Sequence, residues 1–328
     1  MNFPLDDSYR PPRWLANPHL QSVLPSSLPL RGMRVRRQAA ALLAASREVV
    51  LDCGEGVRLL ALHASPERSS RRAALLLHGW EGHADAHYML SLAWQLFDRG
   101  FDVVRLNLRD HGGTQHLNQG LFHSCLLPEI VGAVRRVRTL LPELPLHLAG
   151  FSLGGNFLLR AAARAREDNL DIAQVVAISP VLEPAATLTA IEDGLQLYHR
   201  YFVRKWTASL RAKAAAWPRV YDFSDLHRFP GLRRMTAELV RRFTPFASLD
   251  AYLDGYAITA GRLASLRVPA TLITALDDPI VPAADLERLD AGAALRLRVT
   301  RHGGHVGFLE SLGGGTWAER ATLEALCT

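Results

Sequence analysis

The chain has 328 residues and carries 38 basic against 32 acidic side chains, a formal net charge of +6. With 48 % hydrophobic and 21 % charged residues it has the mixture of a globular protein, which excludes disordered and fibrous classes. That length can hold one main core with a sizeable insertion, or two domains. The opening fourteen residues lack a basic-then-apolar leader pattern, and no apolar run reaches the ~18 residues of a membrane span. Neither export nor a membrane span is expected. Cys53, Cys125 and Cys327 form no CxxC or CxxH pair, so the reading is reduced thiols in a cytosol, with no disulfide framework and no zinc site. Lys205 and Lys213 are the only lysines. Arginine-rich charge without a nucleic-acid-binding motif reads as a solvated surface, and no nucleic-acid partner is expected.

In chain order, residues 1–46 carry prolines and a basic cluster (Arg31, Arg34, Arg36, Arg37) and read as an arm packed along a core. Glu48–Asp52, a Gly54–Gly56 turn and Arg58–His63 read as a β-hairpin. Ala73–Leu77 is a continuous apolar run, as a parallel strand covered on both faces requires. Ala86–Arg99 reads as a helix ended by Gly100, with Leu90, Trp94 and Phe97 on one stripe. Phe101–Leu106 is the next strand, about 126–140 a helix, Leu146–Ala149 a short strand, Leu153–Arg166 a helix and Ala173–Ile178 a strand. Alternating strands and helices predict a mainly parallel sheet with right-handed crossovers. From about Glu183 to Ser265 the pattern is helical with no convincing strand, rich in aromatics, and net +4 over 183–250. Strands return at Val268–Ala275 and Leu295–Thr300, before a last helix over about Val306–Leu326. The expected organisation is an α/β core of 47–182 and 266–328, flanked by the arm 1–46 and interrupted by a helical lid insertion, 183–265.

Gly150-Phe151-Ser152-Leu153-Gly154-Gly155 follows a short apolar strand and precedes a helical pattern, the context of a G-x-S-x-G nucleophile elbow. Glycines two positions either side give a serine at the apex of a sharp turn the room it needs. The helix starting after Ser152 aims its positive end at the reacting centre. Asp278 stands just beyond the strand Val268–Ala275 in a proline-stiffened loop, and His305 follows the last strand within His302-Gly303-Gly304-His305. The order Ser152, Asp278, His305 is that of a nucleophile, acid and base carried on successive strand ends. Asp278 is preferred over Asp277 by its spacing to Val281-Pro282 and to the strand end, with Asp277 read first as a solvated or capping residue and second as the alternative acid. His302 reads as an exposed loop histidine. Two backbone N–H groups are expected to receive an oxyanion, those of Leu153 and of Trp80, with Gly79 allowing the turn that points the latter inward. His78 reads as a shaper of that loop; His123 either lines the site or is an ordinary loop residue.

These residues resemble the YheT-like branch of the α/β-hydrolase superfamily, which includes abhydrolase-domain esterases and lipases. The likeness rests on Asn17-Pro18-His19-Leu20-Gln21, His78-Gly79-Trp80-Glu81-Gly82, the elbow through Asn156, Ala275-Leu276-Asp277-Asp278-Pro279 and Gly303-Gly304-His305-Val306-Gly307-Phe308. Two stretches depart from it: Arg233–Tyr256, and Asn107-Leu108-Arg109-Asp110, where the branch tends to have glycine at the last position. The resemblance implies an α/β-hydrolase fold and a carboxylesterase or lipase-like enzyme that hydrolyses acyl esters, with Ser152, Asp278 and His305 as triad and no metal or organic cofactor. Its partner is then a small-molecule ester, with peripheral lipid contact left open. Thioesterase or acyltransferase chemistry on the same triad, and a non-catalytic ligand-binding role, are the alternatives.

Overall fold

The computed structural model describes residues 4–290, 292–313 and 315–327; the first three residues of the segment 1–46 lie outside them. The chain opens with α1 (Pro18–Ser27), α2 (Pro29–Gln38) and α3 (Ala40–Ala45). The prolines of this segment act as helix starters. Asn17 Oδ1 caps α1 by accepting from the N–H of His19 (2.9 Å) and Leu20 (3.2 Å), and Pro18 and Pro29 sit where a missing N–H costs nothing. Ahead of them Leu5 makes a parallel bridge to Val299.

Strands β1 (Arg47–Asp52) and β2 (Arg58–Ala64) form the antiparallel hairpin. The alternation follows as β3 (Arg72–Leu77), α4 (His87–Asp98), β4 (Phe101–Leu106), α5 (Leu127–Leu140), β5 (Leu146–Phe151), α6 (Leu153–Ala163) and β6 (Gln174–Ile178). Residues 183–265 hold α7 (Pro184–Asp193), α8 (Gln196–Ala216), α9 (Leu232–Phe243) and α10 (Leu249–Asp254). The chain then returns through β7 (Ala270–Ala275), β8 (Leu295–Thr300) and α11 (Trp317–Cys327). The eight strands form one sheet in the order β1-β2-β4-β3-β5-β6-β7-β8, parallel from β4 to β8.

Why the central strands are apolar at every position is visible in their packing. Leu75, Leu77 and Leu148 join the core beneath α5 and α6, while their neighbours Leu76 and Ala149 join the core beneath α4 and α11. Both faces are covered, so period-two alternation of polarity is absent. Each of Leu75, Leu76 and Leu77 is wholly removed from water, which contributes about 1.5–3 kcal/mol per side chain.

The expected helix over Val306–Leu326 is a correction: only Trp317–Cys327 is helical. Val306 and Phe308 adopt φ of +67° and +47°, and Leu309 bridges Thr316 across the glycine-rich stretch between them. Phe308 and Leu309 are buried as loop residues, so their apolarity reflects core contact without helical spacing. The helix α6 also stops at Ala163, three residues early.

Candidate active site

The parallel strands point their C-terminal ends at one edge, and the crossover loops there bring distant residues together. Ser152 caps α6 with φ +51° and ψ −120°, a left-handed conformation that costs a non-glycine residue about 1–3 kcal/mol. The surroundings hold it there. Ser152 N–H donates to Ile178 O (2.8 Å), and Asn156 N–H donates to Ser152 O (3.0 Å). A Cβ on Gly150 would lie 2.6 Å from the Gly154 carbonyl carbon, and one on Gly154 would lie 2.4 Å from the carbonyl oxygens of Leu77 and His78. Backbone cannot yield to such contacts, which is why glycine flanks the serine on both sides.

His305 joins Ser152 to Asp278. Its Nε2 stands 3.0 Å from Ser152 Oγ and its Nδ1 2.9 Å from Asp278 Oδ2. The Asp278 side chain has no exposed surface and that of His305 is 11 % exposed. Asp278 Oδ1 accepts from the N–H of Ile280 (2.8 Å) and Val281 (2.9 Å), so the carboxylate is fixed and its other oxygen is left for the imidazole. An acceptor at Nδ1 puts the ring proton there, which leaves Nε2 as the acceptor facing the serine hydroxyl.

Asp277 faces elsewhere. Its Oδ2 lies 3.2 Å from His302 Nδ1 and its Oδ1 accepts from Gly304 N–H (2.9 Å), so it braces the loop that carries His305. Burial pushes the Asp277 carboxyl up, against the opposing pull of those bonds.

Trp80 and Leu153 line the same cavity as Ser152, and Gly79 has a different part from the one expected. Its φ is not positive; the left-handed residue of the loop is Glu81, at φ +56°. Gly79 is small because a Cβ there would come within 3.1 Å of Ser152 Cβ. The N–H groups of Gly79, Glu81 and Gly82 donate to Tyr88 Oη, His111 Nε2 and Gly79 O. Among the described residues, those of Trp80 and Leu153 have no acceptor in the chain. The Trp80 ring stacks on Phe202 at 5.2 Å and meets Trp206 edge-on, which ties the loop to α8. His78 shapes the loop: its buried ring donates from Nδ1 to Gly79 O (2.7 Å) and accepts at Nε2 from Leu108 N–H (3.2 Å). Desolvation drives its pKa well down, so it stays neutral. His123 lines the cavity described next and is lowered to about 4, chiefly by burial.

Other positioning residues were not anticipated. Ser22 Oγ accepts from His305 N–H (2.8 Å) and Ser179 Oγ from Val306 N–H (3.2 Å). Gln21 clamps the same loop, receiving Leu309 N–H (2.7 Å) and donating to the carbonyls of Leu309 and Leu15. His19 Nδ1 lies 3.1 Å from Tyr198 Oη on α8. The Asn17-Pro18-His19-Leu20-Gln21 stretch thus caps a helix, touches α8 and holds the histidine loop. Asn156 donates to the carbonyls of Val181 (2.9 Å) and Tyr256 (2.7 Å), linking the elbow helix to both ends of the segment 183–265.

Ser152, His305, Trp80 and Leu153 open on a cavity of about 580 Å³. Its wall is largely apolar, from Leu188, Ile191, Leu232, Leu239 and Val240 among others on α7 and α9. Glu81 stands in this wall, and burial pushes its carboxyl from the usual 4.5 to about 7, partly opposed by Lys205. A carboxyl held above its unfolded value stabilises the fold while protonated. That contribution is lost as pH rises from 4.5 through about 7. Glu81→Gln is therefore expected to flatten the decline in unfolding free energy between those pH values, by up to about 3 kcal/mol. Denaturant titrations of both proteins across that range check it.

A family model described as the α/β hydrolase fold matches residues 74–312. The YheT protein of Escherichia coli (strain K12) is 25 % identical over 304 residues, which cover 91 % of this chain and 86 % of YheT. Phospholipase ABHD3 of Mus musculus is 25 % identical over 263 residues, 78 % of this chain; the match spans only 62 % of ABHD3. Among solved structures, the Pyrococcus furiosus esterase Pf2001 superposes with a TM-score of 0.59 at 16 % identity, covering 88 % of this chain and 93 % of its own. No helix among the described residues is long and apolar enough to cross a membrane. The parallel sheet, the elbow at its edge and a family match over most of the chain agree: the protein belongs to the α/β-hydrolase family, in its YheT-like branch.

Proposed function

We propose that the protein is a serine hydrolase that cleaves carboxylic esters bearing an apolar acyl group, through an acyl-enzyme on Ser152. The observation that carries this is the continuous hydrogen-bonded line Asp278–His305–Ser152, at 2.9 and 3.0 Å, ending in a large apolar cavity. Names of relatives support an ester substrate, ABHD3 being called a phospholipase and Pf2001 an esterase.

In this reading His305 Nε2 takes the Ser152 proton as Oγ attacks the ester carbonyl, and Asp278 stabilises the resulting imidazolium. The oxyanion receives the free N–H groups of Trp80 and Leu153, each worth roughly 2.7–4 kcal/mol in the transition state. Collapse expels the alcohol, which takes the proton from His305. Water, deprotonated by the same nitrogen, then attacks the acyl carbonyl, and collapse breaks the bond to Ser152 Oγ, which takes the proton back from His305 as the acid leaves. Residues 183–265 act as the lid over the acyl pocket, on a core of 47–182 and 266–328 with 1–46 as its arm.

A panel of p-nitrophenyl esters of graded acyl length tests this. Hydrolysis is expected to rise with chain length until the cavity is filled and to fall beyond it. Ser152→Ala is expected to lower kcat by roughly 10⁴–10⁶-fold. A folded protein that turns over no ester contradicts the proposal.

A further inference from the structure

Four residues both line the cavity and are exposed to solvent: Ser27 at the end of α1, and Leu197, Tyr201 and Arg204 on the first half of α8. They mark its mouth. The two walls are adjacent, because His19 on α1 hydrogen-bonds Tyr198 on α8 across them. The surface around this mouth is unusual in two ways.

The first is apolar exposure. Of eleven large hydrophobic side chains exposed among the described residues, six fall in two short segments, 20–33 (Leu20, Leu30, Met33) and 195–201 (Leu195, Leu197, Tyr201), which reach the mouth through Ser27, Leu197 and Tyr201. Leu30 and Met33 are 77 % and 60 % exposed, on a short helix that has a buried face of its own. The remaining five are spread over the chain. Clustered apolar exposure of this kind marks an interaction surface.

The second is charge. No aspartate or glutamate occurs from Ser8 through Arg47, or from Gly194 through Tyr221. Arg37 follows Met33 by one helical turn, and Arg200 and Arg204 flank Tyr201. Among the described residues, Arg36, Arg37, Arg200, Arg204 and Lys205 form no ion pair. The two segments interleave exposed apolar side chains with cations and carry no carboxylate of their own; Glu81 of the cavity wall is the carboxyl that acts on Tyr201 and meets Lys205. Such segments complement one kind of surface, an anionic lipid headgroup layer over hydrocarbon.

We propose that this face, α1 and α2 with the first half of α8, docks the protein on an anionic phospholipid membrane with the cavity mouth against the lipid. The apolar side chains enter the interface, the arginines meet the headgroups, and an apolar ester reaches Ser152 without crossing water. The proposal rests on the cavity being the substrate site, but docking itself needs no turnover.

The test is co-sedimentation with vesicles of phosphatidylcholine, with and without a third of phosphatidylglycerol, at low and high salt. Ser152→Ala is used beside the natural chain, so that binding and hydrolysis are read separately. Both are expected to bind the anionic vesicles at low salt, to be released by salt, and to ignore pure phosphatidylcholine. The double variant Arg37→Glu, Arg200→Glu is expected to bind at least about tenfold more weakly. It should hydrolyse a short soluble ester as before and keep its melting temperature. Leu30→Ser with Met33→Ser, which leaves the charge unchanged, should also weaken binding. Equal binding to neutral vesicles, no binding, or undiminished binding by both double variants overturns the proposal. So does release by inorganic phosphate at matched ionic strength, which would mean a site for a small anion. A dimer that the same variants dissociate overturns it too, since a second copy would then cover the face. Vesicle binding without ester turnover would instead refute the esterase reading and leave the docking face standing.

Discussion

Asp278→Asn is expected to lower kcat for a soluble ester by about 10⁴-fold with KM little changed, whereas Asp277→Asn stays within a few-fold of the natural chain. The two carboxylates are neighbours in sequence and yet serve different histidines. Asp278 receives two backbone N–H groups on one oxygen and meets His305 Nδ1 with the other. An asparagine there presents an amide N–H to Nδ1, which favours the tautomer that places the ring proton on Nε2, facing the serine. The imidazole then cannot accept the hydroxyl proton, and the developing cation loses its counter-charge. At Asp277 an asparagine still offers its carbonyl to Gly304 N–H, and only the contact to the 39 % exposed His302 changes. Steady-state kinetics on the two variants, with circular dichroism to verify folding, check this. Equal losses would mean that the acid had been assigned to the wrong residue, or that both act only by bracing the loop.

Lys213→Met is expected to destabilise the fold by about 3–5 kcal/mol, the largest effect anticipated for a side chain away from Ser152. Lys213 is fully buried on α8, and its ammonium lies 2.8 Å from Asp110 Oδ1. It also donates to the carbonyls of Asn118 (2.6 Å) and Gly120 (2.9 Å), which uses all three of its protons. Asp110 in turn accepts Phe122 N–H (2.8 Å) on its other oxygen. Burial pushes the Asp110 carboxyl up and the Lys213 amine down, and the charge of each opposes that push on the other. Removing the cation alone leaves a buried carboxylate and two orphaned carbonyls. The combined Asp110→Asn, Lys213→Met variant should therefore lose much less than the sum of the two single changes. Denaturant unfolding of the four proteins measures this, and strict additivity would show the pair to be uncoupled. The bond also pins the loop 110–122, which leads into Phe122 and His123 of the cavity wall, to α8.

Asp110 adopts φ +61°, and the cost of that backbone conformation is offset by its bonds to Lys213 and Phe122. Nothing in the spacing of residues 103 apart could have announced the partner. The core strands were legible because burial on both faces writes an unbroken apolar run, as in Ala73–Leu77 and Phe101–Leu106. The elbow was legible because Gly150 and Gly154 are sterically required.

The segment 1–46 hid its helices behind its prolines. Asn17-Pro18 is a cap followed by a first-turn proline, a helix start signal within a segment whose proline content otherwise reads as extended. The false extension of the last helix to Val306 has the opposite cause. Loop residues that hold His305 are buried and apolar, and burial alone does not distinguish a helix from a tight turn with positive φ. Ser22 and Ser179, which receive the N–H groups of His305 and Val306, carry no local signal, since their partners lie 283 and 127 residues away.

Treating the folded protein with a fluorophosphonate and locating the adduct by mass spectrometry tests the central claim most directly. A single phosphonyl group on Ser152, absent from Ser152→Ala and slowed by orders of magnitude in His305→Ala, is the predicted result. A folded protein that takes no label, or takes it on another residue, would contradict the account.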